Sequence, residues 1–148
     1  MTDQRTERTI VDATPDACYA IVADVGRYPE WASEIDEADV LTLDEHGRPL
    51  DVRFVASAWG RLTRYTLRYD HSDAPLRLAW KLVEGDMVTC LDGWYRFTAV
   101  ADDITEVEYS LVAELQVPLP GFVKRRAESR IIRNALAELG ARLRATAA

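Results

Sequence analysis

The stretch "ELQVPLPGFVKRRAESRIIRNALAEL", residues 114–139, changes its period in the middle. Before it, Val107, Tyr109, Leu111, Ala113 and Leu115 recur at every second position, as on one face of a strand. After it, Ala127, Ile131, Ala135, Leu139 and Leu143 recur at helical spacing, with Ile132 and Leu136 widening the stripe. Pro118 and Pro120 lack a ladder donor, so they end the sheet and stiffen the elbow between the two patterns. Gly121 is expected to permit a tight reversal. The spacing predicts a C-terminal helix of about 25 residues, roughly 37 Å long.

Upstream of that elbow the period is mostly two. Residues 5–12 read as a first strand, and "ATPDACYAIVADV" then opens a helix with Thr14 as N-cap, Pro15 in the first turn and Asp16 beside the positive helix end. Gly26 is expected to close this helix, and Pro29 to hold Tyr28 out of helical geometry before a second short helical turn. From Ile35 onward, turn clusters at "DEHGRP", Gly60, "DHSDAP" and "EGD" divide four strands, and two longer strands meet at "ADD". Val52, Phe54, Ala56 and Ala58 share a face, as do Tyr65, Leu67 and Tyr69, and Leu78, Trp80 and Leu82. Arg53, Arg64, Arg68 and Lys81 take the opposite face. On the sixth strand Trp94 competes with Tyr95 for the inner side, and Gly93 is expected to mark a bulge.

Seven hairpin-connected strands with one apolar face need a cover, and the C-terminal helix is the only element large enough to give it. The fold class is therefore α+β: a curved seven-stranded antiparallel sheet gripping a long C-terminal helix, with two short helices after strand 1. A single helix is about 10–12 Å across, so a wide sheet wrapped around it leaves room for a ligand.

Composition sets the outer bounds. The 148 residues suit one domain, with 48% hydrophobic and 29% charged residues. "MTDQRTERTIVDAT" has no apolar run before a small-residue cleavage site, so no secretory signal is expected and a cytoplasmic location is the default. Cys18 and Cys90 are too few for a disulfide framework and read as small apolar residues. The net charge of −7 divides unevenly: the chain from Gly121 carries +5 and the remainder −12. An acidic body argues against nucleic acid as a partner.

The runs "ADVGRYPEWASEIDEADVL", "LDGWYRFTAV" and "VPLPGFVKRRAESRIIRNALAELGARL" resemble, in order and spacing, the START-like helix-grip (SRPBCC) superfamily. That superfamily includes Bet v 1 relatives and the polyketide cyclase/dehydrase and lipid-transport proteins. "YPEW" is similar to a segment of the coenzyme Q-binding Coq10 and RatA-like branch. The resemblance spans nearly the whole chain, read as one domain over residues 1–148. It implies a deep apolar cavity for lipids, sterols, quinones or polyketides, often with no catalytic residue.

Searches for chemistry find little. His46 and His71 both fall in polar turn clusters and read as surface residues; no phosphate loop, dinucleotide fingerprint or metal-spaced cluster is present, so no metal or cofactor is expected. Glu34 with Asp36, and Glu37 with Asp39, read as solvent-facing. What remains is an inner-face aromatic set. Phe54, Tyr65, Trp80, Tyr95, Phe97 and Tyr109 are in phase, with Trp31 and Phe122 near the openings. An inward phenol needs a partner, water or ligand, so three such tyrosines point to a partly polar pocket. The expected ligand-binding set is Trp31, Phe54, Tyr65, Leu67, Trp80, Tyr95, Tyr109 and Phe122, with Ile131 and Ala135 from the helix.

The basic residues Arg125, Arg126, Arg130 and Arg133 read as a solvated face paired locally with residues such as Glu128; beside Phe122 they also fit transient contact with an anionic membrane. Three functions stay open: a carrier or sensor of a small hydrophobic ligand, a polyketide aromatase/cyclase-like enzyme, or a RatA-like module that meets a protein or ribosome. The cargo and the oligomeric state are left open.

Overall fold

The computed structural model describes residues 4–58 and 61–147, so the turn read at Gly60 and the side chain of Ala58 lie outside the described residues. Among the described residues seven strands form one antiparallel sheet: β1 (Arg5–Val11), β2 (Ile35–Val40), β3 (Asp51–Ala58), β4 (Arg61–Asp70), β5 (Arg77–Gly85), β6 (Val88–Ala101) and β7 (Ile104–Leu115). Their order across the sheet is β1-β7-β6-β5-β4-β3-β2. The five strands β3 to β7 run as sequential hairpins, and β1 closes the far edge against β7. The expected α+β helix-grip architecture is the one observed.

Helix α1 (Pro15–Ala23) starts as its sequence dictates. The Thr14 hydroxyl accepts from the Ala17 N–H at 3.1 Å, and Pro15 occupies the first turn, where no helical donor is lost. Its end differs from expectation. The helix stops at Ala23, and Gly26 falls inside a following 3-10 turn, Val25–Glu30, that also contains Pro29 and Tyr28. Pro29 is tolerated because this short turn closes from Asp24 to Arg27 and from Tyr28 to Trp31, bonds that need no donor at position 29.

Helix α2 (Gly121–Ala147) begins directly after the Pro118–Pro120 elbow. Gly121 has no left-handed backbone; among the described glycines only Gly47 does, so the reversal comes from the prolines and not from a glycine turn. The apolar stripe of α2 divides into two rows. Ile132, Leu136, Leu139 and Leu143 are buried, and the helix packs on β1, β7 and α1. Ile131 and Ala135 are half-buried and face the space over the sheet.

Three pairings bring the inner face into line. Phe54 pairs with Tyr65, Tyr69 with Trp80, and Tyr95 with Tyr109. Tyr95 is buried, whereas Trp94 lies on the convex side with the Arg96 guanidinium 4.8 Å from its ring centre, which resolves the phase of β6. Gly93 is not a bulge. It keeps regular register with Trp80 and Leu111, and the bulges sit instead near Thr66, Ile35, Val88 and Ala99. Bulges bend and twist a strand, so they account for curvature that Gly93 does not supply. The convex face is polar, with Arg68 bidentate on Asp51 at 2.8 and 3.0 Å.

Candidate ligand cavity

Between the concave face and α2 lies a cavity of about 120 Å³. Nine of the ten expected ligand-binding residues line it: Trp31, Phe54, Tyr65, Leu67, Trp80, Tyr95, Tyr109, Ile131 and Ala135. Phe122 does not. It stands on the first turn of α2, 64% exposed, because the elbow turns that side chain outward, away from the sheet.

The rings form a continuous lining. Tyr95 and Tyr109 meet edge to face at 4.7 Å, Trp80 lies 5.7 Å from Tyr95 and 5.6 Å from Tyr109, and Phe54 lies 5.4 Å from Tyr65. Such offset geometry stabilises each pair by about 0.5–1.5 kcal/mol beyond burial. Five of the six tyrosines are on the wall, since Tyr28 and Tyr69 join the three expected ones. Tyr69 could have been found, as it shares phase with Tyr65 and Leu67; Tyr28 could not, because a 3-10 turn has no clean sequence period.

The phenols are not alike. Tyr28 donates to the Val22 carbonyl at 2.5 Å and is thereby satisfied by protein. Among the described residues, no protein group hydrogen-bonds the hydroxyls of Tyr65, Tyr95 or Tyr109. Burial raises the pKa of Tyr65 and Tyr109, and the Glu34 carboxylate adds to the rise. These phenols stay protonated near neutral pH and are available as donors to whatever fills the cavity.

Glu34 corrects the sequence reading. It is half-buried on the cavity wall, not on a solvent face, with Asn134 Nδ2 3.5 Å from its Oε1. Desolvation raises its pKa; Asn134 and Arg130 pull it down, and Glu138 pushes it up. Glu138 also lines the cavity and accepts the Ser33 N–H at 3.1 Å. Residues before β2 lack a strand's alternation, so their facing was not legible from sequence.

His71 is also not on the surface. It is 4% exposed, with Nδ1 2.6 Å from the Tyr19 hydroxyl and Nε2 2.7 Å from the Pro49 carbonyl. A carbonyl only accepts, so Nε2 carries the proton and Tyr19 donates to Nδ1. The ring is a structural clasp away from the cavity wall, whereas His46 remains exposed as expected. Glu128 is fully buried, and its carboxylate faces Lys124 at 3.3 Å and Arg5 at 3.9 Å. It is therefore not the local partner expected for the helix arginines. Both cysteines are unpaired, and burial pushes the Cys18 thiol up to about 11. Among the described residues no cluster of histidine, cysteine and carboxylate could hold a metal, and no helix is long and apolar enough to cross a membrane.

This architecture, a curved sheet closed on a long helix over an aromatic cavity, is the START/Bet v 1 helix-grip fold. The chain belongs to the polyketide cyclase/dehydrase and lipid transport family, whose model matches residues 11–139. A START superfamily protein from Mycobacterium smegmatis is 20% identical with a TM-score of 0.91, covering 97% of this chain and 98% of its own. The Zhui aromatase/cyclase from Streptomyces sp. R1128 is 19% identical with a TM-score of 0.79, covering 97% and 92%. Ara h 8.0201 is 12% identical with a TM-score of 0.71, covering 98% and 99%. A comparison with the curated proteins finds no match.

Proposed function

We propose that this protein is a carrier or sensor that holds a small hydrophobic ligand, such as a lipid, quinone or polyketide, in the cavity between sheet and α2. The chain acts as one helix-grip domain, in the cytoplasm, where its two unpaired cysteines stay reduced. The observation that carries the reading is a trio of phenols, the half-buried Tyr65 and the buried Tyr95 and Tyr109, which line the cavity with no hydrogen-bond partner among the described residues. They orient the polar group of the ligand, while Trp31, Phe54, Leu67, Trp80, Ile131 and Ala135 enclose its apolar part. Each methylene transferred from water contributes about 0.8 kcal/mol. The test is a thermal-shift series with acyl and aromatic compounds: a ligand of the native state raises Tm in proportion to ln[L], and Ala135→Phe, which fills the cavity, abolishes the rise. A Tm unmoved by every compound would count against the reading.

A second reading is an aromatase/cyclase-like enzyme, as in the Streptomyces relative. Glu34 favours it: a desolvated carboxyl with a raised pKa, on the wall that also holds Tyr65 and Tyr109, is suited to move a proton. Turnover of a poly-β-ketone surrogate that is lost in Glu34→Gln would establish it, and absence of turnover in the wild type would remove it.

Phe122, Val117 and Val123 are exposed beside Arg125 and Arg126. This pairing of apolar and cationic groups suits brief contact with an anionic bilayer during cargo exchange. Co-sedimentation with anionic but not neutral vesicles, reduced in Phe122→Ser, tests it.

A further inference from the structure

Beyond the cavity mouth runs an open groove of about 710 Å³ between the start of β4 and the first half of α2. Arg61, Arg126 and Arg130 line it, with Leu62, Leu119 and Val123 as apolar neighbours. Groove and cavity share Glu34 and Ile131, so the two spaces meet at that pair. Arg126 and Arg130 are four residues apart and present themselves on one side of the helix.

Half of the sixteen arginines make an ion pair among the described residues, and these three are in the other half. Arg8, Arg53, Arg68 and Arg142 each hold a carboxylate, while among the described residues Arg61 and Arg126 make no ion pair and Arg130 feels only the field of Glu34, with no direct contact. A chain of net charge −7 has carboxylates to spare, yet Glu34 at the throat is the one acid among the groove residues. A guanidinium whose donors touch no carboxylate presents a planar fork matched to a carboxylate or a phosphate.

Volume supplies the second, independent argument. The cavity beneath α2, at about 120 Å³, is slightly smaller than an apolar cavity of roughly 150 Å³ that admits benzene. One ring or a short chain fills it. A longer ligand has to continue past Glu34 and Ile131, and its outer end then lies among the arginines. Glu34 repels an anion at the throat itself and so places a negative group farther out, on the arginine side.

We propose that this groove is a headgroup subsite, and that the ligand is an amphiphile with an anionic oxyanion group, carboxylate or phosphate, bound by Arg61, Arg126 and Arg130. The inference rests on the reading of the cavity as a ligand site and adds the charge of the ligand. It is tested by calorimetric titration of the intact protein with octanoate, octyl phosphate and octan-1-ol at low salt. At least one anion binds roughly tenfold tighter than the alcohol, as charge-assisted hydrogen bonds require, and the tighter one identifies the headgroup. The preference vanishes in the Arg126→Gln/Arg130→Gln double variant, with octanol affinity and Tm unchanged because both side chains are exposed. Equal affinity for octanol and both anions, or a preference retained in the double variant and in Arg61→Gln, overturns the subsite and leaves the cavity reading standing. Binding of none of the three removes both.

Discussion

Trp80 and Gly93 face each other across β5 and β6 so closely that a Cβ at position 93 would lie 2.6 Å from the indole Cζ2 and 2.4 Å from the Ser110 carbonyl oxygen. The missing side chain is what lets Trp80 lie against the sheet and leaves the cavity open. Gly93→Ala is therefore expected to destabilise the fold by about 1–3 kcal/mol through overpacking, measured by urea unfolding, and to push Trp80 toward the cavity and weaken ligand binding. A variant as stable as the parent, with unchanged tryptophan fluorescence, would contradict this account of Gly93.

Glu128 is a buried charge with two basic neighbours, Lys124 and Arg5. Breaking a buried pair by removing one partner typically costs about 3–5 kcal/mol, whereas exchanging the charge itself for an apolar group is often close to neutral. Lys124→Met should fall at the low end of that range, because Arg5 remains, and Glu128→Leu should cost less. Chemical denaturation of both variants checks the order, and a neutral Lys124→Met would refute it.

His71 is clasped by Tyr19 and the Pro49 carbonyl. Its removal takes a hydrogen-bond partner from the half-buried Tyr19 hydroxyl and Pro49 carbonyl, so His71→Ala should lose about 1–3 kcal/mol. Nitrogen-detected NMR of the ring should find the proton on Nε2. An Nδ1–H tautomer would mean that the clasp is wired differently.

The Glu34 carboxyl has a pKa raised by desolvation, so its neutral form favours the fold. That contribution is complete below the unfolded carboxyl pKa, about 4.3, and is lost as pH rises through the higher folded value. Glu34→Gln should accordingly have a higher Tm than the parent at pH 7, with the two converging at about pH 4 and below. Solvent screening at this half-exposed position keeps the effect small. A lower Tm for the glutamine variant at pH 7 would reverse the sign and refute the desolvation argument.

The fold was legible because two simple periods carried it. Alternation placed Phe54, Leu67, Trp80 and Tyr109 inward, and 3.6-residue spacing placed Ile132 and Leu139 under the helix. The residues that sequence misplaced or missed sit where neither period applies. Glu34 precedes the regular part of β2, His71 follows β4 in a turn rich in polar residues, and Tyr28 is in a 3-10 turn. Glu128 was misread for another reason: a glutamate on a helix is solvated by default, and only the approach of β1 brings Arg5 over it. Phe122 shows the converse, an aromatic residue read as lining that the elbow turns outward.

Native mass spectrometry of the protein as purified, and after incubation with a mixture of acyl and aromatic compounds, addresses the cavity directly. The account predicts one small hydrophobic molecule per chain on the wild type, lost when Ala135→Phe fills the space beneath α2. A bare wild-type mass under both conditions, or an adduct that persists unchanged in the filled variant, would contradict it.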